Sequence, residues 1–217
     1  MLKDKGDTLK GKRCLVIGSG KVARAVAKKL LEFGAIPLTF SDSSGHLYEP
    51  AGIDEAKLKT INKIKDERGA LLGRYIIAST TAQFNDPPSI LDVPCDLCFP
   101  CAAMNEITQE AATQLADSGC KGVIEGGTST VTPDAREVLK KRGLFYGPHT
   151  LTMTGCTIRH MLGPSATDEQ FAAEIARIYK DTKTTAQEFH VRGDLFAGAN
   201  ICGFLRVANA MLAHGAV

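Results

Sequence analysis

An α/β fold with a doubly wound, mostly parallel sheet is predicted by three features of this 217-residue chain. Short apolar runs alternate with amphipathic stretches of roughly ten to fifteen residues, the pattern of βαβ units. A glycine-rich turn, Gly18-Ser19-Gly20-Lys21-Val22-Ala23, lies directly between the first apolar run and the first amphipathic stretch. An acidic residue, Asp42, closes the second run.

The elements follow in order. Cys14 to Gly18 is a short apolar run bounded by basic residues and glycine, so it reads as a buried strand. Val22, Ala23, Val26, Ala27, Leu30 and Phe33 recur at helical spacing, which predicts a helix over Val22–Phe33 with one buried face. Gly34 stops it. Ile36 to Asp42 reads as the second strand. Asp54 to Arg68 is a charged helix with Asp54 as N-cap and Leu58 and Ile61 on its inner side. Tyr75–Ser79, Asp96–Phe99, Gly122–Gly126 and Leu144–Pro148 are expected strands, with a helix over Glu106–Asp117. Thr132 as N-cap, Pro133 in the first turn and Gly143 at the stop mark another helix. Two longer helices, over 168–189 and 197–213, are expected to close the chain and pack back on the sheet. The stretch between Pro148 and Asp168 shows no period.

The expected layout is an N-terminal extension over 1–12, a dinucleotide-binding core over 13–150, and an irregular segment plus helices of the same domain over 151–217. Hydrophobic residues make up 44% of the chain, enough for one sizeable core. A net charge of +2 gives no reason to expect a nucleic-acid or membrane partner. No run of eighteen apolar residues predicts a membrane span, and the polar start is unlike a secretory signal. Seven cysteines, an odd count, suit reduced thiols in the cytoplasm.

Each small residue of the Gly18–Ala23 turn has a job in a Rossmann-like unit. Gly18 permits the tight turn, Gly20 lets backbone approach a pyrophosphate, and Ala23 lets helix and strand pack closely. The helix N-terminus offers unpaired N–H groups and partial positive charge to the anion. Asp42, twenty-four positions after Gly18, is placed to meet an adenine ribose. The same Ser41-Asp42-Ser43-Ser44-Gly45 stretch is also good turn chemistry. Lys63, Lys65 and Arg68 follow on the next helix, where they could neutralise a 2′-phosphate or form a solvated face.

Together with Pro100-Cys101-Ala102-Ala103-Met104-Asn105-Glu106, the Glu125–Ala135 stretch and the terminal Gly198–Gly215 segment, these residues resemble the cofactor-binding half of hexameric NADP-type glutamate dehydrogenases. The resemblance runs from about Leu9 to the C-terminus. It implies NADP rather than NAD as cofactor. Asp42 and Ser43 match the adenine-ribose site, and Lys65 and Arg68 match positions that contact the 2′-phosphate. Cys101, Ala102 and Asn105 match the loop beneath the nicotinamide ribose, and Asn200 matches an asparagine near the cleft. The implied reaction is reversible oxidative deamination of glutamate to 2-oxoglutarate and ammonia, with a homo-oligomer as the intact enzyme.

Two departures stand out. Glu125-Gly126-Gly127-Thr128 replaces the family's Glu-Gly-Ala-Asn, and the stretch after Pro148-His149 lacks its Asn-Ala-Gly-Gly. The family's catalytic lysine and aspartate lie in an N-terminal half, so no catalytic residue is assigned and this chain alone is expected to lack turnover. The competing expectation is a non-catalytic nucleotide-binding or interaction module. A third is a dehydrogenase acting on leucine or phenylalanine. Cys95, Cys98 and Cys101 have C-x-x-C-x-x-C spacing, but Asn105 stands where a fourth cluster ligand is needed, so buried thiols are expected and no metal. Ser79, Thr80 and Thr81 have no base beside them in sequence.

Overall fold

The computed structural model describes residues 1–215, in two compact units, Met1–Tyr146 and Gly147 onward. In the first unit, β1 (Arg13–Ile17) pairs in parallel with β2 (Ile36–Pro37) on one side and β6 (Leu97–Pro100) on the other. β6 pairs in parallel with β7 (Gly122–Ile124), and β8 (Phe145–Gly147) completes the order β2-β1-β6-β7-β8. The boundary between the units falls within β8.

Alternation along β1 builds the two faces. Leu15 and Ile17 join one apolar cluster with Ala111, Ala112 and Leu115 of α3 (Gln109–Asp117) and Ala135 and Leu139 of α4 (Pro133–Lys141). Cys14 and Val16 join the other, with Ala23, Ala27 and Leu30 of α1 (Lys21–Glu32) and Leu58 and Ile61 of α2 (Glu55–Asp66). Helices thus cover both faces of the sheet, the doubly wound, Rossmann-like arrangement. Each fully buried leucine, isoleucine or valine side chain in these clusters contributes about 1.5–3 kcal/mol.

Local signals set the helix starts. Asp54 accepts from the Lys57 N–H at 2.8 Å and Thr132 from the Ala135 N–H at 3.2 Å, as their sequence context predicts. The inner stripe of α1 is narrower than expected. Ala23, Ala27 and Leu30 are buried, whereas Val22 is 48% and Phe33 58% exposed. Val22 lies about 100° around the helix from Ala23, and Phe33 caps the last turn rather than continuing the face.

Two expected strands come out differently. The Ile36–Asp42 run is divided. β2 ends at Pro37, and β3 (Thr39–Asp42) turns into an antiparallel sheet with β4 (Gly45–Tyr48) and β5 (Gln83–Asn85). The Thr39 hydroxyl makes the break possible. It accepts from the Val16 N–H and donates to the Val16 carbonyl, both at 3.0 Å, replacing the ladder at the edge of β1. The Tyr75–Ser79 stretch is 3-10 helical over Leu72–Ala78 rather than a strand. Its anchors are distant carboxylates: Asp42 accepts from the Leu72 N–H and Glu49 from the Tyr75 hydroxyl. Short apolar runs without a period are ambiguous on sequence alone, and here tertiary partners decide.

In the second unit, the stretch without a period forms α5 (His149–Thr152) and α6 (Gly155–Leu162). α7 (Asp168–Glu188) starts on a full capping box of Thr167 and Gln170. α8 (Leu195–Ala213) is capped by Asp194 and packs on α7 at Gly198, where a Cβ would lie 2.6 Å from the Thr182 carbonyl oxygen. α8 reaches the length and apolarity of a membrane span, with mean hydropathy 1.4, against the expectation that no segment would. Asn200, Arg206 and Asn209 interrupt its apolar run, which is why a search for an unbroken stretch passes over it. Phe204, Val207 and Leu212 on this helix are exposed.

Candidate functional site

From β1 the chain passes through α1 to β2 on one side of β1; β6 lies on the other. The strand order therefore reverses between β1 and β6, and in open α/β sheets ligands bind in the crevice outside the strand carboxyl ends at such a point. The Gly18–Ala23 turn leaves β1 there, and the Cys101–Asn105 loop leaves β6 beside it.

Gly18 has φ +102°, and a Cβ on it would lie 3.1 Å from the Ala102 Cβ and 3.2 Å from the Ala102 nitrogen. The left-handed conformation calls for glycine, and the close approach leaves little room for a side chain. The Gly18 N–H donates to the Ser41 hydroxyl at 2.7 Å, and the Ser41 N–H donates back to the Gly18 carbonyl at 3.1 Å. This pair fixes the tip of β3 against the turn. Gly20 is the extended N-cap of α1 and behaves oppositely, since a Cβ there would meet nothing within 4 Å. Nothing among the described residues demands a glycine at 20; the space around its Cβ position is open. Ser19 and Ala23 are buried, while Lys21 and Val22 are exposed.

Asp42 is committed within the chain. Oδ1 accepts from the Ser44 N–H at 3.0 Å and the Ser44 hydroxyl at 2.6 Å. Oδ2 accepts from Lys65 Nζ at 3.1 Å and the Leu72 N–H at 2.8 Å. Burial pushes this carboxyl up, but the hydrogen bonds from Ser44, Leu72 and Lys65 outweigh it and hold the group below its ordinary value. Lys65 also donates to the Ala70 carbonyl at 2.9 Å. Ser43 is exposed at the hairpin tip, and Arg68 is exposed just past α2 with no ion-pair partner among the described residues.

On the β6 side, the Cys101 N–H donates to the Ile17 carbonyl at 2.9 Å. The Cys101 side chain fills the space over Gly126, whose Cβ would meet the sulfur at 2.4 Å. Burial and the nearby Glu106 charge push this thiol up to about 12, so it is a neutral packing group at physiological pH. Asn105 holds φ +57°, a conformation asparagine tolerates, and its N–H donates to the Ser129 carbonyl at 2.9 Å. Asn200 lies on α8, in the second unit.

The fold thus brings Gly18, Ser41, Cys101 and Ala102 into direct register, and joins Asp42 to Lys65. Sequence reading gives Ser41 no role beyond turn chemistry and passes over Glu49. The Glu49 carboxylate is fully buried and accepts from Lys57, Tyr75, Ser79 and Thr81. Burial raises it, and those four donors outweigh burial and hold it below its usual range. Ser79 and Thr81 therefore serve this carboxylate.

This is a Rossmann-like α/β protein with a dinucleotide-type turn at its topological switch point. The chain belongs to the Glutamate/Leucine/Phenylalanine/Valine dehydrogenase family, whose model matches residues 1–215. It is 38% identical over 230 residues to an NADP-specific glutamate dehydrogenase of Chlorella sorokiniana, covering all of this chain and 44% of that protein. Against the NADP-specific glutamate dehydrogenase of Escherichia coli it is 32% identical, covering 51% of that protein. The solved glutamate dehydrogenase of Plasmodium falciparum superimposes with a TM-score of 0.91 at 30% identity, over 98% of this chain and 48% of the solved one. The chain spans about half the length of the curated relatives it matches.

Proposed function

We propose that this chain binds NADP across the β1–β6 crevice and serves as the cofactor-binding part of a glutamate dehydrogenase. The observation that carries the reading is the contrast between the two glycines. Gly18 is required by the fold, whereas Gly20 faces open space at the start of a twelve-residue helix. A glycine kept where no neighbour needs it fits a backbone cradle for a diphosphate, with α1 supplying N–H groups and partial positive charge.

When bound, NADP carries hydride to or from the amino-acid carbon in the reversible deamination of glutamate to 2-oxoglutarate. The chain's own residues bind and orient. Ser41 holds the turn in shape. Ser43, exposed at the hairpin tip, would meet the adenine ribose. Lys65 and Arg68 offer positive charge to the 2′-phosphate. Asp42 takes part by holding Lys65 and closing the hairpin, which explains how an acid sits beside a site for an anion: its charge is met by Lys65 within the chain. Cys101, Ala102 and Asn105 form the opposite wall. Amino-acid substrate and proton transfer fall to residues outside this set, so the 217-residue chain alone binds cofactor without turnover.

Calorimetric titration with NADPH and NADH tests the reading. NADPH is expected to bind at least about tenfold more tightly, and Lys65→Ala to remove most of that preference, the size of one charge-assisted contact. Equal affinity of the wild type for both dinucleotides would remove the 2′-phosphate site.

A further inference from the structure

We propose that Leu71 is the adenine-contacting residue of the cofactor site, its side chain packing on one face of the purine ring. The inference rests on the NADP reading above and adds to it a residue that carries no charge. Backbone on both sides of Leu71 braces the Asp42–Lys65 pair. Lys65 Nζ donates to the Ala70 carbonyl at 2.9 Å, and the Leu72 N–H donates to Asp42 Oδ2 at 2.8 Å. The Ala70 carbonyl carbon and the Leu72 nitrogen each lie two bonds from the Leu71 Cα. The stem of Leu71 is therefore fixed beside the acid and the lysine, where β3 ends.

The Leu71 side chain turns outward from this brace. Its backbone is extended, at φ −96° and ψ 151°, so neighbouring side chains face opposite ways. Leu72 is buried in the cluster that holds Phe40 and Leu47, whereas Leu71 is 46% exposed. The turn around it is held as well. The Ala70 N–H donates to the Glu67 carbonyl at 3.2 Å, the Arg74 N–H donates to the Leu71 carbonyl at 3.3 Å, and Arg74 forms an ion pair with Glu67. A single exposed leucine is ordinary on a protein surface. This one is set apart by the two backbone groups that flank it, because both are spent on the residues of the adenosine subsite.

The chemistry of the side chain selects the ligand group. Leucine has no donor to offer a phosphate, but it suits the flat, apolar face of a base. With the adenosine ribose at the carboxyl end of β3, the base leaves the sugar from the carbon next to the one that bears the 2′-phosphate. Base and 2′-phosphate therefore reach the protein side by side, as Leu71 and Lys65 stand side by side. Covering the exposed part of a leucine favours every ligand that carries the base, with or without the 2′-phosphate.

The test titrates the 217-residue chain with NADPH, NADH and adenosine 2′,5′-bisphosphate. Leu71→Ser is expected to weaken all three by one common factor of about fivefold to tenfold, the scale of covering half a leucine side chain. Lys65→Ala, by contrast, should weaken the two ligands with a 2′-phosphate and spare NADH. Leu71→Met keeps the apolar volume and should hold all three within about twofold of the wild type. Ile77→Ser is the control, since Ile77 is 91% exposed on the same turn and makes no hydrogen bond to Asp42 or Lys65; it should change none of the affinities by more than about twofold. If Leu71→Ser does not fold, Leu71→Ala supplies the same comparison. Unchanged affinities in Leu71→Ser, a loss that spares NADH, a Leu71→Met variant as weak as Leu71→Ser, or an equal loss in Ile77→Ser would overturn the inference. A wild type that binds none of the three ligands would overturn the NADP reading itself, before any variant is made.

Discussion

Replacing Asp42 by Asn separates its two conceivable roles. The carboxylate accepts four hydrogen bonds, two on each oxygen, from Ser44, Lys65 and Leu72. Asn keeps one acceptor oxygen and turns an NH₂ toward donors on the other side. The ion pair with Lys65 is lost, and its two side chains are only 11% and 18% exposed, so it is not a fully screened surface pair. A hydrogen bond to a charged group is worth about 1.5–3 kcal/mol, so Asp42→Asn should cost about 2–3 kcal/mol. For a protein of this size that lowers Tm by roughly 4–12 °C. Thermal melts of both proteins without ligand measure it. The pH dependence has a fixed sign. Asp42 is held below its ordinary value in the folded chain. Its stabilisation is therefore complete above the unfolded value, about 3.9, and is lost as pH falls through the folded one. The variant should lose that acid-side slope. Freed of its partner, Lys65 should keep or increase the NADPH preference. An unchanged Tm, with NADPH and NADH weakened equally, would refute this reasoning and make Asp42 a direct ribose acceptor.

Glu49→Ala leaves Lys57 and three hydroxyls facing a hole. With Glu49 fully buried and Lys57 about a quarter exposed, the loss should approach about 3 kcal/mol, read by urea denaturation. Cys101 should resist alkylation at pH 8 because its thiol is buried and pushed up to about 12, whereas the exposed Cys156 should react first. Mass spectrometry of a time course distinguishes the two, and early labelling of Cys101 would contradict the packing.

Much of the sheet and its helices was legible because their causes are local. Asp54 and Thr132 cap helices from within three residues, and Ala23 and Ala27 mark the packed side of α1 by spacing alone. The failures share one cause, partners far along the chain. Leu72 meets Asp42 across 30 residues and Tyr75 meets Glu49 across 26, and these contacts make a 3-10 turn of a stretch that reads as a strand. Thr39 reaches Val16 across 23 residues and lets β3 leave the main sheet. The glycine turn was legible, but only the fold separates Gly18, held close to Ala102 at positive φ, from Gly20, which no described residue crowds.

That separation offers the most direct test of the diphosphate cradle. Gly20 has φ −70°, open space around its Cβ position and an N-cap role, so Gly20→Ala should cost no more than about 1 kcal/mol of stability. The account predicts a folded variant whose NADPH affinity falls at least about tenfold, because a methyl group stands where a pyrophosphate must approach backbone. A folded Gly20→Ala protein that binds NADPH as tightly as the wild type would contradict it.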